Sequence, residues 1–112
     1  MNSEQIKLLN KMKILISTGR CRFANRHDCD YATDLLELGI DYDEAWKIIM
    51  CLNTHFYFPD PKPDYYRKDN KSLTFKKKIN GNTAYIKLKI ELIGENEETV
   101  CLSFHKDNKR GD

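Results

Sequence analysis

The chain has 112 residues, of which 40% are hydrophobic and 32% are charged. These values are ordinary for a soluble globular protein and predict one domain, residues 1–112, with a core of two layers. The formal net charge of +2 does not by itself indicate a nucleic-acid partner. The distribution of charge is more informative, because lysines crowd positions 68–89 whereas acidic residues gather at 28–44 and 91–98. This separation favours one positive surface.

Several broad classes of protein are disfavoured. No apolar stretch approaches the roughly 20 residues that a membrane helix needs, and the polar N-terminus does not resemble a signal peptide. We therefore expect a cytoplasmic protein without membrane contact, in which the cysteines are reduced thiols. Zinc is disfavoured because the chain contains no C-x-x-C pair, and no cofactor is expected. Cys29 and Cys51 fall in predicted helices and are expected to be small core residues.

Two helices are predicted in the first forty residues. The first is capped by Ser3, carries apolar residues at helical spacing and ends at Gly19. The second begins near Asp28 or Asp30 and stops at Gly39.

A third helix has the clearest start. Asp41 can accept hydrogen bonds at the N-cap, and Glu44 three residues later completes a capping box. Its apolar stripe follows i, i+3, i+4, i+7 spacing and consists of Ala45, Ile48, Ile49 and Leu52. Residues 20–23, between the first two helices, are expected to be a short strand or an extended link.

Residues 55–67 form an aromatic loop in which all three prolines of the chain lie between Pro59 and Pro63. Proline lacks the N–H that helices and central strands need, so this loop is expected to be extended and stiff.

A hairpin follows, with Asn80-Gly81 as its turn, because a type I′ turn needs positive φ at both central residues. Such a turn pairs Ile79 with Asn82. The register that results pairs Phe75 with Ile86 and Leu73 with Leu88 on a buried face, and Lys76 with Tyr85 and Thr74 with Lys87 on the other face.

A second turn at 94–97 leads into a third strand. Alternation turns Val100, Leu102 and Phe104 inward and Cys101, Ser103 and His105 outward. His105 is thereby expected opposite Tyr85 or Lys87 on an open face, and residues 106–112 are expected to be a frayed tail. The predicted fold is α+β, with three N-terminal helices packed on a three-stranded, or slightly larger, antiparallel sheet.

Three segments of the chain resemble the MqsR family of bacterial toxins. They are residues 35–43, residues 48–57, and residues 85–90 together with 102–105 on the predicted strands. The segments occur in a consistent order, and the resemblance covers about two-thirds of the chain. The resemblance implies a RelE-like fold and a messenger-RNA endoribonuclease of a toxin–antitoxin pair. It also implies single-stranded RNA and a cognate antitoxin as partners, with the free toxin a monomer and the antitoxin complex heteromeric.

The resemblance assigns roles to residues of the sheet. The family's strand tyrosine falls on Tyr85, its neighbouring lysine on Lys87, and the basic residue after the final Ser-Phe on His105, where the best-known members have lysine. These three are the predicted catalytic residues.

The chain also departs from the family pattern. The family's lysine after the aromatic pair falls on Phe58, so that lysine is absent, and Lys62 or Arg67 are its candidate substitutes. The family's glutamine on the first hairpin strand has no clear counterpart, and Thr74 or Lys76 occupies the region.

Side chains of these kinds suit metal-free cleavage of RNA. That reaction needs a base for the 2′-hydroxyl, an acid for the 5′-oxygen and cations for the developing negative charge. Histidine can exchange a proton near neutral pH, which suits His105, while Lys87 supplies a cation and Tyr85 can orient the phosphate or relay a proton. His55 is the reserve acid or base. The residues predicted to bind RNA are Lys76, Lys89, Lys62, Arg67, Tyr57 and Tyr65. Tyr57 and Tyr65, together with Tyr66, are expected to stack on unpaired bases.

The sequence leaves two alternatives to this function. The first is a non-catalytic RNA- or protein-binding module on the same fold, of phage or plasmid origin, and the absent lysine at Phe58 favours it. The second is a DNA-binding regulator, which is disfavoured because none of the predicted helices carries a basic face suited to a major groove.

Overall fold

The computed structural model of the chain describes residues 1–24, 31–59 and 72–107. Within these ranges the helices are α1 (Ser3–Ser17), α2 (Tyr31–Glu37) and α3 (Tyr42–Met50), followed by a 3₁₀ turn at Thr54–Phe56. The strands are β1 (Cys21–Phe23), β2 (Ser72–Ile79), β3 (Asn82–Ile93) and β4 (Asn96–Lys106). The α+β class is confirmed.

The sheet is mixed, not wholly antiparallel as predicted. Its four strands run in the order β1-β4-β3-β2, and β1 pairs in parallel with β4 through Cys21 and Thr99. The segment 20–23, for which a strand and a link were both open, is therefore an edge strand. It lies between two helices in the chain, so the helices do not all precede the sheet.

The helix caps follow the predicted chemistry with one change. Asp41 accepts from the Glu44 N–H at 2.8 Å and completes the predicted box. The first helix is capped by Asn2 and not by Ser3, since Asn2 Oδ1 accepts from the Gln5 N–H at 2.8 Å and the Gln5 side chain accepts in return. With Ser3 as cap, the third helical position would be Ile6, which offers no acceptor. The proposed start of α2 at Asp28 or Asp30 lies outside the described residues.

The β2–β3 hairpin has the predicted register at every pair. Asn80 and Gly81 take φ of 50° and 86°, as a type I′ turn requires. The Asn80 side chain also donates to the Leu38 carbonyl at 2.9 Å, which ties the turn to the end of α2.

The inward and outward residues of β4 are predicted correctly only near its C-terminal end. Lys87 pairs with Ser103 but Leu88 pairs with Cys101, so Leu102 is the extra residue of a β-bulge. A bulge shifts the alternation by one residue. Cys101 therefore joins the core, while Val100 lies on the opposite face of the sheet, in register with Lys89.

The core lies between the helices and one face of the sheet. Its largest fully buried side chains include Met12, Leu35, Ile49, Phe75 and Ile86. Cys51 is exposed, which corrects its assignment to the core; Cys29 lies outside the described residues. None of the helices in the described ranges is long and apolar enough to cross a membrane.

The chain end is more ordered than predicted as far as it is described. Lys106 belongs to β4, and the Asp107 N–H donates to the Thr83 carbonyl at 2.8 Å. The expectation of a frayed tail is therefore wrong for Lys106 and Asp107. Residues 108–112 lie outside the described residues.

Candidate functional site

The candidate site is a row of side chains that crosses three strands on the face opposite the helices. Register places Lys76 of β2 beside Tyr85 of β3, and Tyr85 beside His105 of β4. The rings of Tyr85 and His105 stack, with centroids 5.4 Å apart and an interplanar angle of 18°. Of the two positions open to His105, the one opposite Tyr85 is confirmed. We call Lys76, Tyr85 and His105 the Tyr–His row.

His105 is buried, with 1% of its surface exposed, so the prediction of an open position for it is wrong. Its Nδ1 lies 2.7 Å from the Lys106 carbonyl oxygen. A carbonyl can only accept a hydrogen bond, so Nδ1 carries a hydrogen and donates it to Lys106. This hydrogen bond and the stacking hold the imidazole against the phenol ring of Tyr85.

A carboxylate that the sequence analysis missed joins the row. Lys76 Nζ lies 3.1 Å from Asp107 Oδ2 and 3.8 Å from the centroid of the Phe58 ring. Asp107 Oδ1 is buried and makes no hydrogen bond with the described part of the chain. The alternation is the signal for Asp107, since it places this residue two positions after His105 on the same face. The prediction of a frayed tail from residue 106 onward leaves that signal out.

Lys87 lies next to the Tyr–His row. It is two residues from Tyr85 on β3, which places its side chain on the same face about 6–7 Å along the strand. Register sets it between Thr74 and Ser103, and Thr74 is 4% exposed. Tyr85 and Lys87 are both partly exposed at the centre of this face.

Lys89, predicted to bind RNA, lies outside the Tyr–His row, four residues along β3 from Tyr85. Its Nζ lies 4.0 Å from Glu91 Oε1, and Arg22 pairs with Glu91 at 2.8 Å and with Glu98 at 3.1 Å. Charges of both signs thus offset one another at this end of the sheet. Among the described residues, positive charge exceeds negative charge near Lys76 and Lys87, where Asp107 is the carboxylate, and the two signs balance near Lys89.

The aromatic residues of the loop have different environments. Tyr57, predicted to stack on RNA, packs its ring edge-on against Phe75 at 6.1 Å and accepts a hydrogen bond from Gln5 Nε2 at 2.8 Å. His55, the reserve acid or base, is exposed and contacts Phe56 outside the row. Lys62, Tyr65 and Arg67 lie outside the described residues, as does Tyr66.

In the part of the chain that the structure describes, no three His, Cys, Asp or Glu side chains come together as a metal site. Comparisons of the chain with protein-family models, with curated proteins and with solved structures gave no match.

Proposed function

We propose that this protein is a metal-independent endoribonuclease with a RelE-like fold, the toxin of a toxin–antitoxin pair, which cleaves single-stranded messenger RNA in the cytoplasm. The observation that carries the proposal is the stacked Tyr85–His105 pair with Lys76 in register and Lys87 beside it. A phenol, an imidazole and two ammonium groups are the kinds of side chain that metal-free phosphodiester cleavage uses.

The reaction is an internal transfer at phosphorus. The 2′-oxygen attacks the phosphorus and loses its proton, while the bond from phosphorus to the 5′-oxygen breaks and that oxygen gains a proton. The products are a 2′,3′-cyclic phosphate and a free 5′-hydroxyl, and water can open the cyclic phosphate to a 3′-phosphate. The ammonium groups of Lys76 and Lys87 stabilise the negative charge that develops on the phosphoryl oxygens.

Burial divides the roles within the Tyr–His row. Tyr85 and Lys87 are more exposed than His105, so we assign the contacts with the phosphate to the phenol and the ammonium group. His105 is then a positioning residue that supports the Tyr85 ring.

The resemblance to the MqsR family supports the same assignment. Phe58 stands where that family has a lysine, and the ammonium group of Lys76 lies over the Phe58 ring. Lys76 therefore supplies a cation next to the position at which the family's cation is absent.

A non-catalytic RNA-binding module on the same fold is the second candidate. The observation that favours it is the 1% exposure of His105, because a buried imidazole does not meet the substrate directly. Both candidates use the same cationic face, and they differ only in whether the bound RNA is cut.

The test uses purified protein and a long messenger RNA, with and without EDTA. We expect cleavage in both conditions and 2′,3′-cyclic or 3′-phosphate ends. Lys87→Gln should lower the rate by about 10²-fold or more, whereas Lys89→Gln, a lysine of the same strand and face, should change it little. Cleavage that chelation abolishes and added metal restores would overturn the mechanism, and binding without cleavage would favour the second candidate.

A further inference from the structure

Phe58 lies at the edge of the site face with a fixed backbone. Its N–H donates to the Thr74 carbonyl at 2.9 Å, and Tyr57 before it forms an antiparallel bridge with Phe75. The Tyr57 side chain is directed to the core by its contacts with Phe75 and Gln5. Because successive residues of extended chain point to opposite sides, Phe58 is directed to the face that carries the Tyr–His row.

The Phe58 ring borders the Tyr–His row through Lys76. The same Lys76 ammonium that lies 3.8 Å from the ring centroid is 3.1 Å from the Asp107 carboxylate. Phe58 nevertheless remains 37% exposed. The ammonium group lies over one face of the ring. A nucleobase can stack on the opposite face, with its phosphate near the ammonium group.

We propose that Phe58 is a stacking subsite for one unpaired nucleobase of the bound RNA, a role that rests on the proposed function. Phe58 is separated from Lys87 by β2 at Thr74, and two strand spacings amount to roughly 10 Å. This separation assigns the stacked base to a nucleotide close to the cleaved phosphodiester and not to the cleaved bond itself. A base held in a duplex cannot reach the ring, so the subsite selects single-stranded RNA.

The experiment measures binding of a short, unstructured RNA by fluorescence anisotropy at fixed salt. Every 2′-hydroxyl of the probe is methylated, so that the nucleophile is blocked and binding is separated from cleavage. Phe58→Leu retains apolar volume but removes the ring, and we expect it to weaken binding by about 5- to 100-fold. Phe58→Trp retains a ring and should bind at least as tightly as wild type. Tyr42→Leu is the matched control, since Tyr42 is a 44% exposed aromatic on the helix layer, and it should not change the Kd.

A second series removes one base at a time from the probe. At one position, removal of the base should weaken binding to wild type as much as Phe58→Leu weakens binding of the intact probe. With the probe that lacks this base, wild type and Phe58→Leu should have the same Kd. If Phe58→Leu fails to fold, the same scan on wild type still tests the stacking subsite. A scan in which no position is sensitive to loss of its base overturns the subsite.

The outcomes separate the subsite from the proposed function. Wild type that binds and cuts RNA while Phe58→Leu binds equally well would overturn the subsite and leave the nuclease proposal intact. Wild type that neither binds the probe nor cuts messenger RNA would overturn the proposed function, and the subsite with it.

Discussion

The stacking contact between Tyr85 and His105 contributes to the stability of the fold as well as to the candidate site. Stacked aromatic rings contribute about 0.5–1.5 kcal/mol beyond their buried area, and the His105 ring also donates to the Lys106 carbonyl. An open position for both residues would have made their loss nearly neutral for folding. The burial of His105 changes that expectation.

We predict that His105→Ala lowers the free energy of unfolding by about 2–3 kcal/mol, because it leaves a cavity, removes the stack and deprives a carbonyl of its donor. Tyr85→Phe keeps the ring and should cost less than about 1 kcal/mol. Urea unfolding followed by circular dichroism measures both values. His55→Ala, at an exposed histidine, is the control and should stay within about 0.5 kcal/mol of wild type; an equally small loss for His105→Ala would contradict the buried position.

Cys101 provides a pH-dependent prediction. Burial raises the pKa of its thiol well above the ordinary value of 9.0, against a smaller lowering effect of a backbone hydrogen bond with Ser103. The folded protein therefore keeps the proton above pH 9 while the unfolded chain loses it, so the contribution to stability is complete below that pH and declines as pH rises.

The comparison that isolates this thiol is wild type against Cys101→Ala between pH 9.5 and 10.5. We expect the free energy of unfolding of wild type to fall more steeply, by about 1.4 kcal/mol per pH unit. Cys51→Ala removes an exposed thiol and should leave the wild-type slope unchanged. Parallel curves for wild type and Cys101→Ala would show that the thiol ionises alike in both states.

At the scale of elements, the β2–β3 hairpin shows how local chemistry fixes a register. Gly81 takes φ of +86°, and a Cβ added there would meet nothing within 4 Å. The cost of Gly81→Ala is therefore that of the left-handed backbone alone, about 1–2 kcal/mol. Thermal or urea unfolding measures it, with Thr83→Ala at an exposed position of the same hairpin as the neutral control. A loss below about 0.3 kcal/mol would contradict the type I′ turn.

The bulge in β4 is the element-scale feature that alternation could not reveal. On either side of Leu102 the pattern reads as one continuous strand, because Val100, Cys101 and Leu102 are all apolar enough to be buried. Only the pairing with β3 shows which of them is the extra residue. The consequence reaches the site, since the bulge lies between the pairs of Lys87 and Leu88, at the boundary between the cationic half of the face and the neutral half.

At the scale of the whole molecule, the proposed function predicts an effect on cells. Induction of the gene alone in a bacterial host should slow growth, because the enzyme removes messenger RNA. Co-expression of the neighbouring gene should restore growth if that gene encodes an antitoxin, and the cationic face suits an acidic partner. Lys87→Gln expressed at the same level is the inactive control. Equal growth with and without the neighbour, at confirmed expression, would count against the toxin.

The sequence alone determined those features in which neighbouring residues settle the outcome. The capping box of Asp41 and Glu44, the Asn80-Gly81 turn and the pairing of Lys76 with Tyr85 depend on a few adjacent side chains and on a period of two. The two-residue turn leaves one register for β2 and β3. For β3 and β4, keeping the apolar rows together predicted His105 opposite either Tyr85 or Lys87.

The tertiary structure decided what depends on contacts between distant segments. The parallel pairing of β1 with β4, the cation of Lys76 between Phe58 and Asp107, and the burial of His105 all join parts of the chain that have no local signal for one another. Periodicity tells which side of a strand a residue faces, but it does not tell what covers that side. For that physical reason the position of His105 could be predicted from the sequence and its environment could not.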